Sequence, residues 1–237
     1  MYEYIIGDVI LGIIWTPLFI LRKDLRKVMI WGGLTYIAIL TIGFFLFELV
    51  LLFYPVAEWR TVIPGYWNPK TVFDLGKFTG GYAIEDAIFM FWVGGIATAS
   101  YEFLTQKKIK PVKAHSHHRK ALLIGLLAGF LSIALLEINM IYALIVFGFV
   151  GTATIWLQRH DLIGHSLISG LIFAGIYFVA YLSFIVLFPG FIERTYNIEN
   201  VSGILIYGMP LEELLYALSF GALWGPFYEY EHGTKDV

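Results

Sequence analysis

The chain has 237 residues, of which 59% are hydrophobic and only 14% charged, with a formal net charge of −2 and a mean hydropathy of +0.75. A soluble domain carries about 25% charged residues, so a water-facing globular surface is excluded, and the near-neutral charge implies no nucleic acid partner. Cysteine is absent, which excludes disulfides and thiolate metal ligands.

The N-terminus has neither a basic leader nor a cleavage site, so its first apolar stretch reads as a retained helix rather than a signal peptide. A crossing of about 30 Å needs roughly 20 apolar residues. Seven spans are expected, at 4–21, 28–54, 83–101, 121–136, 139–157, 167–188 and 210–228. The fourth and fifth are nearly continuous, and together too long for one crossing. A tight hairpin at Glu137-Ile138-Asn139 is therefore predicted. The expected fold class is an all-α, multi-pass integral protein of the cell membrane.

Lys and Arg counts set the orientation. With the N-terminus outside and the C-terminus cytoplasmic, the inner segments carry Arg22, Lys23, Arg26, Lys27, Lys107, Lys108, Lys110, Lys113, Arg119, Lys120, Arg159 and Lys235. The outer segments carry only Arg60, Lys70, Lys77 and Arg194. Two long outer segments, 55–82 and 189–209, are rich in Trp, Tyr, Gly and Pro, and read as interfacial caps.

The first and last thirds of the chain resemble each other. Arg22-Lys23-Asp24-Leu25 aligns with Arg159-His160-Asp161-Leu162, and Gly33-Leu34 with Gly170-Leu171, at a shift of 137. Pro55 and Arg60-Thr61 align with Pro189 and Arg194-Thr195 at 134. Gly81, Glu85, Asp86, Gly94, Tyr101 and Glu102 align with Gly208, Glu212, Glu213, Gly221, Tyr228 and Glu229 at 127. The shifts shrink in order, as small deletions produce. The expected organisation is one structural domain in a 3+1+3 parallel repeat: residues 1–106, a loop and linking helix at 107–138, and residues 139–237. Ligand sites in such folds tend to lie between the copies.

An ionisable group within a bilayer is costly and marks a functional hypothesis. The candidates are Asp8, Glu48, Glu85, Asp86, Glu137, Glu212 and Glu213. Acids in the first turn of a helix are ordinary helix-start chemistry. Two adjacent pairs at equivalent positions, each inside apolar flanks, point instead to function, with one member of each pair capping while the other reacts. Helical spacing puts Glu85, Phe89 and Trp92 on one stripe, and Glu212, Tyr216 and Ser219 on its match. A carboxyl group buried beside a second one is suited to act as an acid, and aromatic faces stabilise a cation. Acid and aromatics with no nucleotide or metal motif suit carbocation chemistry on an apolar substrate.

At these residues the sequence resembles the membrane-embedded lycopene cyclases of archaea, actinobacteria and fungi, which include the heterodimeric carotenoid cyclases. The shared feature is a Pro-x-Glu-Glu type motif opening the third helix of each repeat. It reads Pro210-Leu211-Glu212-Glu213-Leu214-Leu215-Tyr216 in the second copy. The first copy, Ala83-Ile84-Glu85-Asp86-Ala87-Ile88-Phe89, departs from it at Ala83 and Asp86. The resemblance implies an intramolecular lyase or isomerase acting on lycopene. A proton adds to the terminal double bond, a neighbouring double bond attacks the cation, and a base removes a proton to leave a β-ionone ring. No cofactor is implied; in particular no flavin is, in keeping with the absence of a Gly-x-Gly-x-x-Gly unit. Glu85 and Glu212 are then the leading acid and base, Asp86 and Glu213 their tuning partners, and Tyr82, Phe89, Trp92 and Tyr216 the expected substrate contacts. Expected partners are a linear carotenoid in the bilayer, lipid, and either other carotenoid enzymes or a second copy of the chain.

Other signals read differently. His115, His117 and His118 sit in a basic inner segment and read as solvated rather than metal-binding, so no metal site is expected. No predicted span contains the Lys that a retinal protein needs. Asp24 and Asp161 read as partners of Arg22 and Arg159. Glu137 and Asn139 either cap the hairpin or face the bundle. Asp8 and Glu48 lie near the outer ends of their helices and are further candidates for the site. The alternative function is a small-solute or proton-coupled carrier with parallel repeats, which predicts polar residues near mid-span. The mid-spans here are almost wholly apolar.

Overall fold

The computed structural model describes residues 3–79, 81–111 and 120–236. The His115, His117 and His118 cluster lies outside the described residues. In chain order the helices are α1 (Glu3–Leu21), α2 (Arg26–Leu51), α3 (Leu75–Phe78), α4 (Ile84–Ala97), α5 (Ser100–Thr105), α6 (Lys120–Leu136), α7 (Met140–Gln158), α8 (Ile163–Leu187), α9 (Phe191–Thr195), α10 (Leu211–Trp224) and α11 (Phe227–His232). Five segments, Glu3–Leu21, Arg26–Leu49, Ile84–Thr105, Met140–Gln158 and His160–Leu187, are long and apolar enough to cross a membrane. Leu, Ile, Val and Phe side chains cover the outer faces of the bundle, including Ile13, Leu46, Leu127, Leu171 and Val179. Such a surface is stable against lipid and not against water, and the chain is an all-α membrane protein.

Two expected spans are interrupted. The third breaks at Thr98-Ala99 between α4 and α5, and the last breaks at Gly225-Pro226 between α10 and α11. Pro226 has no backbone N–H to continue a helix, and the Thr98 hydroxyl donates to the Gly94 carbonyl (2.9 Å). The two breaks are 127 residues apart. The hairpin forms as expected, with Glu137 at a φ of 52°. The Asn139 side chain accepts from Ile141 N (2.9 Å) and donates to the carbonyls of Trp59 (2.5 Å) and Thr61 (3.2 Å). It therefore caps α7 and ties the hairpin to the first outer segment.

Positions related by the sequence shifts make matching contacts. Arg22 forks onto Asp24 and donates to the carbonyls of Glu102 and Lys107, at 2.6 Å each. Arg159 forks onto Asp161 and donates to the carbonyls of Glu229 (3.2 Å) and Thr234 (3.1 Å). Helix α2 packs on α4, and α8 on α10. Both crossings rest on glycine. A Cβ on Gly94 would lie 2.6 Å from the Gly32 carbonyl, and one on Gly221 would lie 2.6 Å from Phe173 Cβ.

The short strands were not anticipated. β1 (Ile109–Pro111) pairs antiparallel with β4 (Thr234–Asp236), and β2 (Leu205–Ile206) with β3 (Met209–Pro210). The second pair is closed by Tyr207 and Gly208, both at positive φ, the arrangement of a two-residue primed hairpin turn. The segments 55–82 and 189–209, expected to be outer, lie against each other: Asn68 N donates to Thr195 O (2.9 Å), and Asn197 N to Tyr66 O (3.0 Å).

Overpacking a helix crossing costs about 1–3 kcal/mol. Gly94→Val is expected to lower stability by that amount in detergent thermal unfolding. Gly43→Ala, where an added Cβ meets nothing within 4 Å, is expected to leave it unchanged.

Candidate active site

The first turns of α4 and α10 carry the acidic pairs, where unpaired N–H groups and the positive end of the helix dipole favour them. All four groups are buried, but they divide into two kinds. Glu85 accepts from Val72 N (2.5 Å). Glu212 accepts from Ser202 N (3.0 Å) and the Tyr142 hydroxyl (2.7 Å). Val72 and Ser202 are 130 residues apart, between the shifts of 134 and 127. These two carboxylates tie the outer segments to the helix starts.

Asp86 and Glu213 face the other way, into a cavity of about 840 Å³. Asp86 accepts from Ala83 N (2.6 Å), one half of a capping box, and from the Tyr4 hydroxyl (2.6 Å). Glu213 accepts from the hydroxyls of Tyr66 (3.1 Å) and Tyr177 (2.8 Å), one on each oxygen. The difference follows from the sequence. The position equivalent to Ala83 is Pro210, which has no N–H for a carboxylate to cap. Glu213 is thus free of the helix start, and its extra methylene lets it reach the tyrosines.

Around Glu213 the wall is aromatic. Tyr36, Tyr66, Tyr177, Tyr181, Tyr196 and Tyr216 line the cavity with Phe89 and Trp67, and the Tyr36 and Tyr216 hydroxyls are in contact. Burial first, and then the Glu213 charge, push the hydroxyls of Tyr66 and Tyr196 well above their ordinary range, so both stay neutral donors. Away from this end, the lining includes Ile42, Leu46 and Leu49 of α2 and Leu126, Leu127 and Phe130 of α6. These six are also exposed on the outer surface, so the cavity reaches the bundle's flank between α2 and α6.

Of the sequence-derived residues, Asp86, Glu213, Tyr82, Phe89 and Tyr216 line this cavity, as do Asp8 and Glu48; Glu85, Glu212 and Trp92 do not. The predicted stripe is corrected by one residue. The cavity face of α4 runs through Asp86, Phe89 and Met90, because Glu85 is turned to the outer segment. Trp92 packs on Trp15 (5.1 Å between centroids) and lines a separate cavity of about 600 Å³ at the α1–α4 contact. On α10, Glu213 and Tyr216 share the cavity face, while Ser219 packs on Gly148. Asp8 is 2% exposed, and neither of its oxygens has a hydrogen-bond partner among the described residues.

The lycopene cyclase family model matches residues 3–104 and 139–231. The chain belongs to the lycopene cyclase family. Membership implies an enzyme that acts on carotenoids and does not favour a carrier. The two matched stretches leave out the loop and α6. No curated protein and no solved structure matches the chain.

The tyrosine cage is what sequence reasoning missed in this cyclase. Two signals for it existed: Tyr177 and Tyr181 are spaced i, i+4 on α8, and Tyr66 and Tyr196 are 130 apart, the same shift as Val72 and Ser202. Removing one donor from a buried charged acceptor costs about 1.5–3 kcal/mol. Tyr66→Phe and Tyr177→Phe are each expected to lower stability by that amount in thermal unfolding. In a Glu213→Gln background both losses should shrink, and equal losses in the two backgrounds would remove Glu213 as their common partner.

Proposed function

We propose that this enzyme closes the linear end group of lycopene to a β-ionone ring by acid–base catalysis through a carbocation, with Asp86 and Glu213 as the working pair. The observation that carries the reading is the convergence of these two carboxyls, 127 residues apart, on one aromatic cavity that reaches the lipid-facing flank. A hydrocarbon dissolved in the bilayer would enter between α2 and α6 and place its end group under the outer segments.

In the reaction, Asp86 gives its proton to the terminal double bond, and the positive charge forms on the tertiary carbon. The next suitably placed double bond attacks it, forming one carbon–carbon bond and moving the cation into the new ring. Glu213 takes a proton from the adjacent carbon, and the electron pair of that C–H bond becomes the ring double bond. The product is an isomer of the substrate. Glu213 suits the base role because tyrosine hydroxyls, including those of Tyr66 and Tyr177, hold it, with no backbone donor among the described residues. Asp86 is assigned the acid role as the second carboxyl group of the pair on this cavity, whose lining also carries Asp8; an apolar site favours the protonated form of a carboxyl group. Tyr177 and Phe89, with centroids 6.5 Å apart, present ring faces of the kind that stabilise a cation. Glu85 and Glu212 support the pair by fixing the outer segments.

The proposed architecture is seven crossings with the N-terminus outside and the C-terminus inside, built as copies 1–106 and 139–237 joined by 107–138. The matched contacts of Arg22 and Arg159, the equivalent helix breaks and the division of the family match support it. The shorter helices pack on longer ones, α6 (Lys120–Leu136) on α7 and α10 (Leu211–Trp224) on α7 and α8.

Expression in a lycopene-producing bacterium is expected to convert lycopene to a β-ring carotene, read by chromatography of extracted pigment. Asp86→Asn and Glu213→Gln should each abolish conversion. Glu85→Gln and Glu212→Gln should retain part of it, their losses tracking stability. Unchanged lycopene beside a well-inserted wild-type chain would contradict the enzyme reading. Full activity in Glu213→Gln would remove it as the base.

A further inference from the structure

A second cluster of ionisable side chains lies at the other end of the bundle. Glu102 on α5, His165 on α8 and Glu229 on α11 are at most 4% exposed, and candidate ligand atoms from all three lie within 4.8 Å of one another. Glu102 follows Asp86 by the same 16 residues as Glu229 follows Glu213 (102 − 86 = 229 − 213), on the order of 24 Å at 1.5 Å per helical residue. The cluster is therefore separate from the carboxyl pair described above. We propose that these three side chains form a binding site for a borderline first-row divalent cation of the Zn²⁺ or Mn²⁺ type.

Three observations carry this. The first is the donor set. One imidazole with two carboxylates matches the nitrogen and oxygen preferences of Zn²⁺ and Mn²⁺, and the histidine separates it from a purely acidic cluster. The second is a distance. His165 Nε2 lies 3.3 Å from Glu102 Oε1. A charge-assisted imidazolium–carboxylate hydrogen bond contracts to about 2.7–2.9 Å. Two ligands of one tetrahedral ion, each about 2.1 Å from it, are separated by about 3.4 Å. The observed spacing is one that two ligands of a shared ion can hold.

The third observation is the way the ligands are held. The guanidinium groups of Arg22 and Arg159 grip the backbone carbonyls of Glu102 and Glu229, which fixes the two segments that carry the acids. The ring of Tyr101 stacks on His165 at 4.1 Å between centroids and 24°, which sets the imidazole plane. Outer contacts of this kind orient metal ligands. Three ligands leave a fourth position for water. The ion would fasten α5 and α11, the short helices that follow α4 and α10 after their breaks, to α8.

The test is metal binding by the untagged full-length chain, purified in detergent and stripped with a chelator. Titration with ZnCl₂ and MnCl₂, followed by calorimetry and thermal unfolding, is expected to show one equivalent bound per chain and a raised midpoint, with CaCl₂ giving neither. Glu102→Gln, Glu229→Gln and His165→Gln should each lose the bound equivalent, while Glu193→Gln, at an exposed acid, should keep it. A wild-type chain that binds neither cation would overturn the proposal, and so would variants that retain the equivalent. The wild-type stoichiometry and midpoint decide the question even where a variant does not fold.

Discussion

The carboxylate of Glu213 sits among apolar side chains at the top of α10, held by the hydroxyls of Tyr66 and Tyr177. A buried charge survives only where donors or an opposite charge compensate it, and much of the outer half of the fold is arranged to supply those donors. Tyr177 requires α8 to pack close to α10, which the glycine at 221 allows. Tyr66 requires the first outer segment to fold down over the bundle. That segment is pinned by Asn139 beneath the hairpin, by Val72 on Glu85, and by its backbone pairing with residues 195–197. The outer segments are in this sense the roof of the cavity and the source of one of its two donors.

The proposed duplication explains why the two acidic pairs sit alike and are bonded differently. Each pair spends its first carboxylate on a loop N–H, Glu85 on Val72 and Glu212 on Ser202. The second members diverge. Asp86 still caps its own helix start through Ala83 N, whereas Pro210 offers no such N–H, and the longer Glu213 turns to tyrosine hydroxyls instead. One backbone atom, present at Ala83 and missing at Pro210, thus separates an acid that half-caps its helix from one held by tyrosine hydroxyls. The same contrast accounts for the departure of Ala83-Ile84-Glu85-Asp86 from the Pro-x-Glu-Glu pattern.

Much of this was legible in the sequence. The helices start and end close to the expected positions because apolar runs and flanking charges govern both, and the hairpin at Glu137-Ile138-Asn139 follows from length alone. The repeat singled out four carboxyls, of which Asp86 and Glu213 line the cavity and Glu85 and Glu212 do not. Which member of each pair faces the cavity was not legible. Adjacent residues lie about 100° apart around a helix, and the choice depends on where Val72 and Ser202 come to rest, a tertiary fact. The stripe through Glu85 and Trp92 failed for that reason. Nor could periodicity join Tyr66, Tyr177 and Glu213, which lie up to 147 residues apart, or bring Glu102, His165 and Glu229 together across three helices.

The central claim is that a carboxyl group of this site starts the reaction by giving up a proton that exchanges with solvent. Conversion of lycopene by the purified enzyme in D₂O tests it most directly, with the product analysed by mass spectrometry. The account predicts one deuterium retained per ring formed, because the added proton stays on a ring carbon while the base removes a different hydrogen. A cyclised product carrying no deuterium would contradict it.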